Sequence, residues 1–197
     1  MHIRGLNWPN KQEDLRIFLH PHKIGLIGLV ETKIKMESDR KIAVRAFPNW
    51  KWENNTTPHI KGRLWIAWHR RIYDLQVLQK SDQIIHCFAT QLSTLKKFFI
   101  TFVYVMNHVH RRQSMWESLL AISHQMNKAW CIIGDFNAIL YKDDRKGRNE
   151  IQGNETKELE DFIEQGDLQE LRWSGPYYSW TNKTIWSRID RAFINIH

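Results

Sequence analysis

Six polar residues stand where apolar runs stop. Glu31 closes "GLIGLVE", and Tyr104 and Asn107 close "FFITFVYVMN". Asp135 and Asn137 end "CIIGDFN", and Asp190 sits inside "SRIDRAFIN". Residues 135 and 137 are two apart, so an extended strand running through them projects both side chains to one side. A hard divalent cation such as Mg²⁺ takes oxygen ligands and keeps several waters, so one or two carboxylates suffice to hold it. Asn amides and a Tyr hydroxyl donate hydrogen bonds to non-bridging phosphate oxygens. A further carboxylate can orient or deprotonate a water for in-line attack on phosphorus. Taken together, the set is suited to hydrolysing a phosphoester. Singly, each residue has a plainer explanation. Glu31 ends a strand facing solvent, Tyr104 is a packed aromatic, Asp190 pairs with Arg188 or Arg191, and Asp135 with Asn137 forms a turn.

The elements that must position these groups follow from apolar spacing. "PNKQEDLRIFLHPH" starts at Pro9 and spaces Leu15, Phe18 and Leu19 at helical intervals. "RRQSMWESLLAISHQM" is an amphipathic helix with Trp116, Leu119, Leu120 and Ile122 on or near one face. "NETKELEDFIEQG" reads as a helix capped by Asn154 and closed by Gly166. "KIGLIGLV", "GRLWIAWH", "LQVLQ", "IIHCFATQL", "FFITFVYVM", "AWCIIGDF", "YYSWTN" and "SRIDRAFINI" read as strands. Several consecutive strands lack a helix between them. This favours sheets packed on each other with helices outside over a parallel doubly wound sheet.

Composition narrows the class. The chain has 197 residues, enough for one sizeable domain, with ordinary globular proportions of 42% hydrophobic and 25% charged residues. A formal net charge of +8 points to a polyanionic partner, most simply nucleic acid. Basic groups at "HRR" 69–71, "HRR" 110–112 (with Arg111) and "DDRKGR" 143–148 are candidates for holding phosphates. Cys87 and Cys131 lie in apolar runs and read as buried thiols of a reducing compartment. No segment approaches the roughly 18 apolar residues of a membrane span, and "MHIRGLNWPN" has no signal-peptide apolar region. A soluble intracellular monomer, nuclear or cytoplasmic, is expected.

The ordered motifs "GLVETK", "VYVMN", "GDFN" and "SRIDR", with "IRGLN", "GRLWIAW" and "YYSWTN", resemble the endonuclease/exonuclease/phosphatase (DNase I-like) superfamily. Within it they are similar to the endonuclease domain of plant non-LTR (LINE-type) retrotransposons. The resemblance covers nearly the whole chain. It implies a four-layered α/β sandwich, with two mixed β-sheets face to face and helices outside. It also implies nicking of DNA dependent on Mg²⁺ or Mn²⁺, with RNA a second candidate partner. By motif, Glu31 would hold the metal and Asp135 would orient the attacking water. Asn137 and Tyr104, with Asn107 nearby, would bind the scissile phosphate, and Asp190 would buttress a catalytic His.

Two departures from the family pattern set further expectations. The position before "IRGLN" is normally Asn, which supports the metal and water network; here it is His2. The family's Ser-Asp-His motif and last strand do not follow "SRIDRAFINIH", so residues 1–197 are expected to form a single domain truncated at its C-terminus. Losing one transition-state donor typically costs about 10²–10³-fold in rate. Two other readings therefore stand beside the endonuclease: a catalytically inactive nucleic-acid-binding remnant, and a small-molecule phosphatase of the same superfamily.

Overall fold

The computed structural model describes residues 1–3, 5–57, 63–106, 108–147 and 154–196, which form two compact units, 1–104 and 105–197. Asn107, Arg4, Arg148 and His197 lie outside the described residues.

The first unit runs α1 (Pro9–Leu19), β1 (Leu26–Val30), α2 (Met36–Ala46), β2 (Trp50–Asn54), β3 (Leu64–His69), β4 (Tyr73–Lys80), β5 (Ile84–Gln91) and β6 (Lys97–Tyr104). Its first sheet has the order β1-β3-β2, with antiparallel pairs, and a parallel bridge from His2 to Val30 makes it mixed. Residues of one parity on β1 and β3, namely Ile27, Leu29, Trp65 and Ala67, join Leu15 and Leu19 of α1 and Ile42, Ala43 and Ala46 of α2 in a buried cluster. Strand alternation sends the other parity to the opposite face. There Gly28 meets Phe102 of the antiparallel β4-β5-β6 meander, and a Cβ on Gly28 would lie 2.4 Å from the ring. Helices, sheet and second sheet therefore follow one another in layers, as the strand-rich pattern predicts.

The second unit runs α3 (Val109–Ser123), β7 (Trp130–Asp135), a short 3-10 turn (Lys142–Asp144), β8 (Arg145–Lys146), α4 (Asn154–Gln165), β9 (Leu168–Glu170), β10 (Trp180–Thr181), β11 (Trp186–Ser187) and β12 (Asp190–Asn195). β12 lies antiparallel between β7 and β9, and β10-β11-β8 forms a small separate sheet. α3 and α4 cover the β7-β12-β9 strands through Trp116, Phe162, Phe136 and Phe193, whose rings stand 5.0–6.2 Å apart.

Several local expectations change. Phe18 is exposed, and the inner face of α1 is Gln12, Leu15 and Leu19, spaced three and four apart. The left-handed residue after α4 is Asp167 (φ 47), one beyond Gly166. Gly166 is required because a Cβ there would lie 2.9 Å from the Phe162 carbonyl oxygen. α2 and β2 have no counterpart in the sequence reading.

Candidate functional site

In the first unit the site residues gather at one end of β1. Glu31 follows the last residue of the strand and holds φ 59, a left-handed conformation disfavoured for a residue with a Cβ. Its side chain is only 13% exposed. The Tyr104 hydroxyl donates to Glu31 Oε1 at 3.3 Å and accepts from Arg63 Nη1 at 3.1 Å. The Arg63 guanidinium also lies 5.5 Å from the centre of the Tyr104 ring. His2, held beside β1 by its bridge to Val30, places Nδ1 4.0 Å from Glu31 Oε2. His2, Glu31 and Tyr104 thus meet, and Arg63 joins them. Arg63 lies in the "GRLWIAW" motif, which by sequence alone assigns it no site role; its place before β3 brings it there.

In the second unit β7 and β12 position the remaining acids. The antiparallel register sets Asp190 opposite Asp135, so the two carboxylates share a face. Asp135 is 1% exposed. Its Oδ1 accepts the backbone N–H of Asn137 at 2.9 Å, and its Oδ2 accepts from Asn137 Nδ2 at 3.3 Å. Asn137 holds φ 44, and its amide also donates to the Val105 carbonyl at 2.5 Å. The turn expected of an Asp-x-Asn sequence is therefore present, and it aims the amide. The Ser179 hydroxyl accepts the backbone N–H groups of Ile189 and Asp190 at 3.1 and 3.0 Å, fixing the start of β12.

The arginines flanking Asp190 have other roles. Arg191 pairs with the fully buried Asp144 and with Glu170, and Arg188 pairs with Glu170 while lying 3.6 Å from the centre of the Trp173 ring. Asp144 Oδ2 also accepts the N–H groups of Leu140 and Tyr141, and its Oδ1 accepts the Tyr177 hydroxyl at 2.9 Å. Burial, then the bond to Asp144, pushes the Tyr177 phenol up from its ordinary value. Sequence reading missed this network, because Asp144 sits in a charged loop far along the chain from Arg191. Arg111, on the first turn of α3, is exposed and contacts the Met106 sulfur at 3.9 Å. Cys87 and Cys131 are free thiols, pushed by burial up to about 12 and about 11, out of the reactive range.

Among the described residues no three His, Cys, Asp or Glu side chains converge to hold a metal. A hard divalent cation such as Mg²⁺ keeps most of its waters and needs one or two carboxylates, and the chemistry of Glu31 suits one such contact. Among the described residues no helix is long and apolar enough to cross a membrane.

A mixed α/β architecture, with Glu31 and Tyr104 at the ends of β1 and β6 and Asp135 and Asp190 at the ends of β7 and β12, is that of the DNase I-like fold. Solved structures of that fold are similar to this one. They include the endonuclease domain of TRAS1, a telomere-specific non-LTR retrotransposon (TM-score 0.73, 14% identity, covering 98% of this chain and 82% of that one). The human Nocturnin catalytic domain with bound sulfate follows at TM-score 0.63 and 12% identity, covering 94% of this chain and 75% of that one. A mannosyl-6-phosphatase of Bacteroides thetaiotaomicron has TM-score 0.63 and 13% identity, covering 98% and 79%. At these identities the likeness establishes the fold alone. No curated protein sequence matches the chain. The chain belongs to the endonuclease/exonuclease/phosphatase family, whose model matches residues 3–195.

Proposed function

We propose that this chain hydrolyses phosphodiesters as a Mg²⁺- or Mn²⁺-dependent endonuclease that nicks DNA, the activity of a retrotransposon-type endonuclease domain. One observation carries the reading. Each of the two expected phosphate-binding donors is hydrogen-bonded to a carboxylate by a long bond of 3.3 Å, Tyr104 to Glu31 and Asn137 to Asp135. Each is also anchored by a shorter bond, to Arg63 at 3.1 Å and to the Val105 carbonyl at 2.5 Å. A phenol has one proton, so Tyr104 donates either to Glu31 or to a phosphate oxygen. Substrate binding exchanges a long bond to a carboxylate for a shorter one to a phosphate oxygen, both charge-assisted, while the anchor keeps the donor aimed.

The residues then divide the work. Glu31 would hold the metal, which when bound supplies charge neutralisation at the phosphate. Asp135, freed of the Asn137 amide, accepts a hydrogen bond from the attacking water and orients it. Tyr104 and Asn137 donate to the non-bridging oxygens as negative charge grows there. Asp190 presents a second carboxylate on the Asp135 face, suited to fixing a protonated partner. The positive charge favours a polyanionic substrate.

Nicking of supercoiled plasmid by the purified chain tests this. Nicking is expected with Mg²⁺ or Mn²⁺, none with EDTA, and a drop of about 10² or more on Asp135→Ala. Nicking that survives Asp135→Ala would sink the assignment. His2 beside Glu31 favours one alternative, a chain that binds nucleic acid without cutting it; that alternative requires salt-sensitive DNA retention with no nicking under any metal.

A further inference from the structure

At the end of the first unit opposite Glu31, α1, α2 and the β1-β3-β2 sheet leave a groove of about 660 Å³. The sheet register locates it. His69 pairs with Trp50 and bonds Gly25, whereas Glu31 follows Val30, which pairs with Leu64. Six residues of extended chain from Gly25 to Glu31 make a separation of about 20 Å.

The floor is apolar: Leu19, Ile24, Pro48, Trp50 and Ile72. The rim carries Arg16 and Lys23, with His20 and His69 beside them, and among the described residues no carboxylate lines it. His69 Nδ1 accepts the backbone N–H of Arg71 at 3.3 Å, which leaves its proton on Nε2 as a donor. A second basin of about 370 Å³ shares Arg16 and Pro48 with the first and continues past Val44 and Arg45. The one acid among its described lining residues, Glu13, is paired with Arg16 at 3.3 Å. Ile17 and Val44 remain 62% and 66% exposed beside the two basins.

Two joined basins make an elongated seat rather than a round pocket, so the occupant is a chain segment. The floor is mostly aliphatic, and its one large aromatic, Trp50, meets His69 edge-on at 5.7 Å. Nucleic-acid grooves instead stack bases on open aromatic faces. We propose that this groove docks an acidic amphipathic peptide segment of a partner protein, its large apolar side chains seated on the floor and its carboxylates against Arg16, Lys23 and Arg45.

Short random peptides displayed on phage and selected on the whole chain test this. Enriched peptides should carry two or more large apolar residues flanked by Asp or Glu. Synthetic versions should bind R16E/K23E and Ile17→Asp about tenfold or more weakly, and bind Asp135→Ala as they bind the parent chain. Because the substituted side chains are exposed, circular dichroism should report an unchanged fold. Competition on the parent chain, with unlabelled peptide and with a single-stranded oligo-dT, gives a readout independent of the variants. Absence of enrichment, a basic or uncharged consensus, equal binding to R16E/K23E, or displacement by oligo-dT would each overturn the proposal, the last assigning the groove to nucleic acid.

Discussion

His2 is the residue at which this chain departs most directly from its family, and its position suggests what the departure does. The imidazole stands 4.0 Å from Glu31 Oε2 with 22% of its side chain exposed. If Glu31 holds the metal as proposed, a ring there takes room that a hydrated cation would need beside that carboxylate. An asparagine is shorter and stays neutral at every pH. His2→Asn is therefore expected to lower the Mg²⁺ concentration for half-maximal nicking by about tenfold, the lower end of what outer groups around a metal contribute. A metal titration of plasmid nicking, with Mg²⁺-induced thermal stabilisation as a second readout, checks this. An unchanged or raised metal requirement in both would acquit His2. The strand ends that carry Glu31, Tyr104, Asp135 and Asp190 were legible, because each of these residues closes or interrupts an apolar run. Arg63 was legible only as part of "GRLWIAW"; its site role was not, since an arginine before a strand looks like any solvated cation until Tyr104 is seen to accept its hydrogen bond.

At the scale of elements, the start of β12 depends on buried charge. Asp144 and Arg191 have fully buried side chains and share the network with Glu170 and Arg188. Removing one partner strands the other charge away from water. Asp144→Ala is expected to destabilise the chain by about 3–5 kcal/mol. Denaturant unfolding measures this, and a loss within about 0.5 kcal/mol, the range of ordinary surface changes, would show the network to be dispensable. A second element-scale effect lies in the β5-β6 pair. His86 is buried, bonds the Thr101 hydroxyl at 2.7 Å and stacks on Phe99. Burial lowers its pKa from 6.5 to about 4. An imidazole that titrates lower when folded takes up its proton on unfolding. Its contribution is thus present above pH 6.5 and is lost as pH falls from there towards 4. Between pH 7 and 5 the loss is about 2 kcal/mol, and His86→Gln should flatten that slope; equal slopes would refute it. Strands and the long helices were legible from period and β-branched content. α2 was not, because "MESDRKIAVRA" buries only Ile42, Ala43 and Ala46 and reads as a charged loop. β2 escaped for a similar reason, its alternation being carried by Trp50 and Trp52 between charges.

For the molecule as a whole, net charge is the property that sequence states and geometry cannot add to. The order of the motifs was readable because the family's acids fall at strand ends in a fixed sequence. The buried network was not, since its members are contributed by β9, β12, the 3-10 turn and the link between β11 and β12, and sequence distance hides such pairings. The charge of +8 makes a thermodynamic claim of its own. If the chain binds DNA through its lysines and arginines, each phosphate it neutralises releases condensed counterion, and log K falls with log salt by about 0.9 per phosphate. Four such contacts give a slope near −3.6, or a loss of roughly 150-fold between about 50 and 200 mM salt. Asp135→Ala is the variant in which to measure it, because binding is then uncoupled from cutting. Loss of that one acid removes a repulsive charge, so affinity should hold or rise while nicking disappears. Fluorescence anisotropy with a labelled duplex over a salt series gives the slope. A slope near zero would mean that the basic residues are solvated surface and that the substrate is not a polyanion. That outcome would favour a small phosphate ester over DNA for the same acids and amides, since a compact substrate is held by the site and not by the field around it.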